Sequence, residues 1–308
     1  MNETLIIGSR GSALALWQSN WVAEQLRQKH PHLTVQIEII KTRGDRMQQA
    51  ALNTIGKGAF TKEIQDGLLN GSIDVAVHSL KDLPTDPLPG LRVWAHPERF
   101  DPRDAWFGRG GILFADLPED AVIATGALRR AAQSLHQYPK ATVEPLRGNV
   151  ETRLRKFREG TMHGMFLACA GLDRLDLADS LTERLDPKVF LPAPGQGALA
   201  IEGRDDERTG ALLCVLDHQQ TRQRVVAERA FLATLEGGCQ VPIAALAQID
   251  GDTLTLDGLV ADVDGTELIR DQESGNRAQA QTIGEHLGRR LLESGGDQIL
   301  ARLRSAHA

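Results

Sequence analysis

The sequence predicts an α/β protein that ends in a smaller α+β domain. Through the first two thirds of the chain, short apolar runs alternate with segments of helical periodicity, which is typical of α/β folds. In the last third, strands are followed by a helical tail, which indicates a separate α+β domain. A length of 308 residues is enough for two or three domains, each with its own core.

The first region begins with a strand, a helix and a second strand. "TLIIGS" is predicted as a strand, residues 12–29 carry apolar side chains at helical spacing with Ser12 as N-cap, and "LTVQIEII" alternates as a strand does. Residues 41–58 lack clear periodicity, and a loop of this length is usually a lid, a binding loop or disordered. A helix in "FTKEIQDGLLNG" and a buried strand in "IDVAVH" follow.

The charged, proline-containing segment 96–104 predicts a crossover to a second α/β region. There, strands are predicted in "AVIAT", "ATVEPL" and "HGMFLACA", and helices in "ALRRAAQSLHQY" and "NVETRLRKFREG", the latter with Asn149 as N-cap. "LPAPGQGALAIEG" leads into another strand. Beyond it, 205–236 is predicted helical, 241–263 contains two strands and 277–305 is helical again. The sequence shows no internal repeat.

Composition excludes several classes of partner. A net charge of −6 and only 4% aromatic residues argue against a nucleic-acid or anionic-lipid surface. The longest apolar runs have six residues, too few to span a membrane, and the N-terminus lacks the basic region of a signal peptide. A cytoplasmic location is therefore expected. No CxxC pair or HExxH is present, so no metal site is predicted.

The three cysteines differ in their surroundings. Cys169 in "MFLACA" and Cys214 in "ALLCVL" lie in apolar runs and are predicted to be core residues. Cys239 in "LEGGCQVPIA" follows two glycines and precedes Pro242, which indicates a loop. The local sequence leaves open whether this thiol has a function or is a loop cysteine without one.

Basic residues gather where strands lead into helices. Arg10 lies in "GSRGSA", Arg129 and Arg130 in "ATGALRR", and Arg147 and Arg153 in "LRGNVETR". Ligands of open α/β sheets bind beyond the strand ends, where helix N-termini and arginine forks suit anions. Three such junctions favour an anion-binding cleft over solvated surface arginines. Neither GxGxxG nor GxxxxGK[ST] occurs, which favours small carboxylated ligands over nucleotides.

Lys81 and Asp82 stand side by side in "HSLKDLP", after the buried strand "IDVAVH". The pair could form an ordinary turn with a surface ion pair. Within an arginine-rich cleft, however, a lone carboxylate becomes a natural partner for a cationic substrate group or intermediate. Asp82 is therefore a candidate catalytic residue.

The sequence resembles the porphobilinogen deaminase (hydroxymethylbilane synthase) family over essentially its whole length. The matching stretches are "GSRGSALALWQ", "KTRGD", "GKGAFTKE", "DVAVHSLKDLP", "DPRDA", "LRGNVETRL", "AGLDRL", "LPAPGQGALAIE" and "ERAFLATLEGGCQVPI". The resemblance implies an α/β fold with two doubly wound domains like the halves of a type II periplasmic binding protein, plus a small α+β domain. The implied boundaries are 1–97 and 198–216 for domain 1, 103–192 for domain 2 and 217–308 for domain 3.

The resemblance also implies a transferase of tetrapyrrole (porphyrin and haem) biosynthesis that acts as a monomer. Four porphobilinogens would be condensed stepwise, each with loss of ammonia, onto a dipyrromethane cofactor held by a thioether to Cys239. Hydrolysis would then release hydroxymethylbilane. Asp82 would be the catalytic carboxylate that stabilises positive charge on the pyrrole ring. The implied cofactor and substrate contacts are Arg10, Ser12, Gln18, Lys57, Phe60, Ser79, Lys81, Thr125, Arg129, Arg130, Arg147, Arg153, Arg174 and Gln196.

Two departures from the family pattern bear on carboxylate binding. The family commonly has two serines where this chain has Gly126 and Ala127, and a loop lysine where it has Asn53 or Thr54. Each lost donor to a charged group would cost roughly 1.5–3 kcal/mol unless water or backbone replaces it. Two alternatives remain open: a solute-binding protein for a small dicarboxylate, and a protein that binds porphyrin precursors without turnover.

Overall fold

The computed structural model describes residues 3–42, 61–236 and 241–305. Most of the loop predicted at 41–58 therefore falls outside the described residues. The chain divides into two compact units, each built from two segments. The first comprises Met1–Phe100 and Ala198–Arg222, and the second Asp101–Gly197 and Gln223–Ala308. The three-domain boundaries given above stay a prediction.

Strands and helices follow one another along the described part of the chain. The strands are β1 (Glu3–Ser9), β2 (Leu33–Ile39), β3 (Val75–Ser79), β4 (Leu91–Ala95), β5 (Asp104–Gly108), β6 (Val122–Ala124), β7 (Thr142–Glu144), β8 (Gly164–Ala168), β9 (Glu183–Arg184), β10 (Leu199–Arg204), β11 (Ile243–Asp250), β12 (Thr253–Ala261) and β13 (Leu268–Asn276). The helices are α1 (Ala13–Lys29), α2 (Lys62–Asn70), α3 (Leu128–Gln137), α4 (Val150–Glu159), α5 (Cys169–Arg174), α6 (Glu207–Leu213), α7 (Gln219–Thr234), α8 (Ala280–Leu291) and α9 (Asp297–Ser305).

The first unit is a five-stranded sheet with helices on both faces. Its strand order is β2-β1-β3-β10-β4, with β1, β2 and β3 parallel and β10 antiparallel to both neighbours. Successive residues of a strand point to opposite faces. Accordingly, Val77 packs with Val22 and Leu26 of α1, whereas Ala76 packs with Leu68 of α2. This layering confirms the doubly wound α/β class.

Local signals in the sequence begin two helices and end a third where predicted. Ser12 caps α1, its hydroxyl oxygen accepting a hydrogen bond from the Ala15 N–H at 3.4 Å. Asn149 caps α4 through the Thr152 N–H at 2.9 Å. Gly71 ends α2 with φ of 77°, a conformation that glycine adopts without strain. All three predicted helix boundaries are confirmed.

The second unit contains a sheet of the same design. Its order is β7-β6-β8-β5-β9, with β6, β7 and β8 parallel and β5 antiparallel to both neighbours. In the spatial order of both sheets, three parallel strands lie side by side, next to one antiparallel strand and then an outer strand. The antiparallel strand of the first sheet, β10, comes after the second sheet in sequence. The chain passes between the two units three times, after Phe100, Gly197 and Arg222. The sheet topology repeats although the sequence shows no repeat.

The last third of the chain forms a three-stranded antiparallel sheet, β11-β12-β13, within the second unit. Phe231 of α7 and Leu287 of α8 pack with Leu256 on one face of this sheet. Leu246 on the other face packs with Ala132 of α3. The predicted α+β character of this region is confirmed.

Sequence reasoning missed four strands: β4, β5, β9 and β13. β9 has two residues, too few to show alternation. β13 has the sequence "LIRDQESGN" and lies at a sheet edge with mostly partial or full exposure, so no apolar pattern marks it. β5 is buried, but it begins at the last residue of the charged segment 96–104 that predicted a crossover.

The two described cysteines behave differently from each other. Cys169 is fully buried, as predicted, and burial raises its pKa to about 12. The prediction that Cys214 is a core residue was wrong, because it is exposed in the turn after α6 while Leu213 takes the buried position. An apolar run around a helix end includes both an inward and an outward position.

No helix in the described ranges is long and apolar enough to cross a membrane.

Iodoacetamide at pH 8 should therefore alkylate Cys214 and leave Cys169 unmodified in the folded protein. The thiolate is the reactive form, and Cys169 is both inaccessible and protonated at this pH. Peptide mass spectrometry would report both sites. Unfolding in urea should make both react, which serves as the control. Alkylation of Cys169 at the rate of Cys214 without urea would contradict the buried assignment.

Candidate active site

Five predicted site residues lie at one edge of the first sheet. Arg10 and Ser12 follow β1, Ser79 ends β3, and Lys81 and Asp82 belong to the single 3-10 turn after it. β1 and β3 are parallel neighbours, so their carboxyl ends meet at the same edge. The predicted clustering of strand-end residues is thus present within this unit.

The turn that carries Asp82 is anchored on both sides by buried leucines. The Leu80 N–H donates to the Ala198 carbonyl at 3.0 Å, and the Leu83 N–H donates to the Leu80 carbonyl at 3.1 Å. Leu80 is 1% exposed and Leu83 is 7% exposed, whereas Asp82 is exposed. A solvent-facing carboxylate therefore sits on a backbone that the core holds in place.

Gln18 ties α1 to the strand that precedes this turn. Its side-chain amide donates to the Ser79 hydroxyl at 3.0 Å, and the neighbouring Ser19 hydroxyl donates to that of Ser9 at 2.9 Å. Gln18 is only 3% exposed. In the described structure it supports Ser79 from within the unit.

In the second unit, two predicted arginines share one buried carboxylate. Asp104 begins β5, opposite Ala168 at the end of β8, and is 0% exposed. Arg129 donates through Nη1 to Asp104 Oδ2 at 2.7 Å and through Nη2 to Oδ1 at 3.2 Å. Arg130 donates to Oδ1 through Nε at 3.0 Å and Nη2 at 2.7 Å. The three side chains form what we call the Asp104 cluster.

Electrostatics keep this cluster ionised. Burial raises the pKa of Asp104, but the positive charges of Arg129 and Arg130 outweigh burial and hold that pKa well below its usual range. Burial lowers the pKa of Arg129, and Asp104 opposes that change. With two guanidinium groups and one carboxylate, the cluster carries one net positive charge. That charge suits an anionic group of a ligand.

Thr125 and Arg153, two other strand-end residues of this unit, form hydrogen bonds with backbone groups. The Thr125 hydroxyl oxygen accepts a hydrogen bond from the Ala127 N–H at 3.1 Å. Arg153 donates through Nε to the Gly148 carbonyl at 2.7 Å. Arg147, which follows β7, is partly buried. Each of the three lies beyond the end of a parallel strand, as predicted.

Arg174 and Gln196 point into the unit. Arg174 is 3% exposed, donates to the Gly197 carbonyl at 2.9 Å, and has its pKa lowered to about 10 by burial. Gln196 is 0% exposed and donates to the Pro102 carbonyl at 2.8 Å and to Asp104 Oδ1 at 3.0 Å. The Gln196 amide nitrogen thus contacts internal acceptors.

Three predicted site residues fall outside the described residues: Lys57, Phe60 and Cys239. Asp104 was not among the predicted site residues. Its signal was a carboxylate in "DPRDA", a stretch that lies in the charged crossover segment and matches the family pattern. Arg129 and Arg130 lie 25 and 26 positions after Asp104 in the sequence. Helix or strand periodicity cannot predict a pairing over such a separation.

Comparison with known proteins relates the whole chain to one family. Residues 5–211 match the family model "Porphobilinogen deaminase, dipyromethane cofactor binding domain", and residues 222–293 match "Porphobilinogen deaminase, C-terminal domain". A porphobilinogen deaminase of Syntrophotalea carbinolica is 50% identical over 98% of this chain and 96% of its own length. One of Geobacter metallireducens is 48% identical over 98% of this chain and 95% of its own length.

Among solved structures, the similar chains are more distant. The BenM effector binding domain with benzoate has a TM-score of 0.43 and 16% identity, covering 72% of this chain and 92% of its own. CbnR, a LysR family transcriptional regulator, has a TM-score of 0.43 and 13% identity, covering 72% and 69% respectively.

Proposed function

The chain belongs to the porphobilinogen deaminase family, and we propose that it is a hydroxymethylbilane synthase, a transferase of tetrapyrrole biosynthesis. It joins four porphobilinogen molecules stepwise, with loss of ammonia each time, and releases hydroxymethylbilane by hydrolysis. The observation that carries this proposal is the match of both family models, which together span 5–211 and 222–293. The cytoplasmic location and the monomeric state remain predictions.

The donor chemistry of the second unit fits a dipyrromethane. Each pyrrole bears acetate and propionate arms, and arginine forks are the side chains that best match carboxylates. The net positive charge of the Asp104 cluster supports binding of such an arm, and Thr125, Arg147 and Arg153 lie at the same edge of the sheet. Attached to Cys239, the cofactor supplies the pyrrole carbon to which the first substrate is joined.

Backbone groups can replace the serines that are absent here. Ala127 is the N-cap of α3 and has no side-chain oxygen, so it does not cap the first N–H groups of the helix. Gly126 is exposed, and a Cβ at this position would lie 3.0 Å from the Leu146 carbonyl oxygen. A serine would crowd this turn. We propose that a ligand carboxylate takes backbone N–H groups here, which limits the loss of affinity.

Asp82 is proposed as the catalytic carboxylate. Its exposure on an anchored turn allows it to face a substrate without moving the backbone. A fixed negative charge stabilises positive charge that develops on the pyrrole ring, and it does so without reorganisation during the reaction. Lys81 precedes it on the same turn and is proposed to bind a substrate carboxylate.

Intact mass spectrometry of the purified protein tests this function against both alternatives. We expect a mass that exceeds the 33.6 kDa polypeptide by one dipyrromethane, and further increments of one pyrrole unit after brief exposure to porphobilinogen. A solute-binding protein would show the polypeptide mass alone. A protein that binds precursors without turnover would show no covalent increments. Either result would contradict the proposed function.

A further inference from the structure

Asp104 is the shared acceptor of four donated N–H groups from two consecutive arginines. Arg129 and Arg130 lie at the start of α3, and both guanidinium groups turn toward the first residue of β5. Gln196 adds a further N–H to the same carboxylate at 3.0 Å. All four residues are buried, with at most 5% of each exposed, so solvent cannot replace these contacts.

The cluster also spans several elements of the unit. Arg129 Nη1 donates to the Leu191 carbonyl at 2.8 Å, and Arg130 Nη1 donates to the Phe166 carbonyl at 3.1 Å on β8. Among the described residues, Asp104 is the only carboxylate that forms an ion pair with either arginine. Without it, two positive charges would lie together in a buried place with only backbone carbonyls as acceptors.

We propose that Asp104 is a positioning residue for the reaction: it orients Arg129 and Arg130 so that their remaining charge faces a ligand carboxylate. This inference rests on the proposed function in that the carboxylate belongs to a pyrrole arm. Asp104 itself carries negative charge and therefore acts on the anionic ligand only through the arginines. Gln196 fixes the carboxylate of Asp104 and has the same indirect role.

Two substitutions test this role, with a matched control on the same segment. Asp104→Asn places an amide N–H group where Arg129 or Arg130 needs an acceptor, and Asp104→Glu keeps the charge but displaces it by one methylene. Asp101→Asn is the control. Asp101 lies three residues earlier and pairs with Arg103 and Arg184, not with the cluster.

The first readout does not depend on turnover. Phenylglyoxal modifies accessible guanidinium groups, and peptide mass spectrometry resolves the sites. In the unmodified chain Arg129 and Arg130 should react several-fold more slowly than Arg155, which is exposed and pairs only with Glu159 among the described residues. Both Asp104 variants should raise the labelling of Arg129 and Arg130, whereas Asp101→Asn should not.

The second readout is steady-state kinetics with porphobilinogen on samples whose folding is checked by circular dichroism. One displaced charged hydrogen bond is expected to raise KM about tenfold or more in Asp104→Glu, with a smaller change in kcat. Asp101→Asn should keep the KM of the unmodified chain. A purely structural role would lower the amount of folded enzyme and leave the KM of the folded fraction unchanged.

The outcomes separate this inference from the proposed function. If the unmodified chain does not consume porphobilinogen, the proposed function fails, and the labelling still decides whether Asp104 holds the arginines. Wild-type labelling of Arg129 and Arg130 as fast as that of Arg155 overturns the inference even if neither Asp104 variant folds. Unchanged labelling or unchanged KM in folded Asp104→Glu overturns it as well, as does an equal effect of Asp101→Asn.

Discussion

Cys239→Ser is expected to give a folded protein with the polypeptide mass alone and no measurable turnover of porphobilinogen. The substitution exchanges one sulfur for oxygen. A cysteine can form a thiolate near neutral pH, whereas a serine hydroxyl stays protonated, so the thioether cannot form. Without the covalent anchor the growing chain has no fixed starting point on the enzyme. Intact mass and an assay of porphobilinogen consumption report the two losses separately.

Cys214→Ser is the matched control for this experiment. Cys214 is exposed and lies in the turn after α6, so replacing its thiol should leave both the mass excess and the activity unchanged. Circular dichroism on both variants shows whether the fold is retained. A mass excess that persists in Cys239→Ser, or full activity in a verified sample, contradicts the proposed attachment at Cys239.

Most of the fold can be predicted from the sequence because its local signals for helix ends and strands agree with one another. Ser12 and Asn149 satisfy the N–H groups at the starts of their helices, and Gly71 supplies the left-handed residue at the end of another. Alternation in "IDVAVH" places Ala76 and Val77 on opposite faces. Where the local signal is weak, as in the two residues of β9 or the polar edge strand β13, hydrogen bonds to a neighbouring strand determine the structure.

The candidate site shows where sequence reasoning stops. Strand ends marked by arginines predicted which residues gather at a sheet edge, because parallel strands end together. The partner of an arginine is a long-range property, and no periodicity links Asp104 to Arg129 across the intervening strand β6. Gln196 illustrates the same limit, because the glycine-rich passage around it indicated a loop and gave no sign of its hydrogen bond to Asp104.

Asp82→Asn should separate catalysis from binding. Asparagine keeps the size of the side chain and one acceptor oxygen, and it removes only the negative charge. The arginines that are proposed to hold the acetate and propionate arms are unchanged, so porphobilinogen should still bind with little change in affinity. Stabilisation that exists only in the transition state appears in kcat. Loss of one such preorganised group costs about hundredfold in rate or more, or ~3 kcal/mol.

Asp86→Asn provides the control, because it removes the same charge from an exposed position four residues further along the same segment. If Asp82 acted only through the general negative potential of this surface, both substitutions would lower kcat to a similar extent, because two exposed charges so close in sequence act over comparable distances. A catalytic role specific to Asp82 depends on its place in the anchored turn Leu80–Asp82, which does not include Asp86. The value of kcat should therefore fall only in Asp82→Asn. Mass spectra of trapped intermediates should then show that Asp82→Asn carries an incomplete set of added substrate units. Normal kcat in Asp82→Asn, or an equal fall in Asp86→Asn, would show that the Asp82 carboxylate is not the group that stabilises the reacting pyrrole.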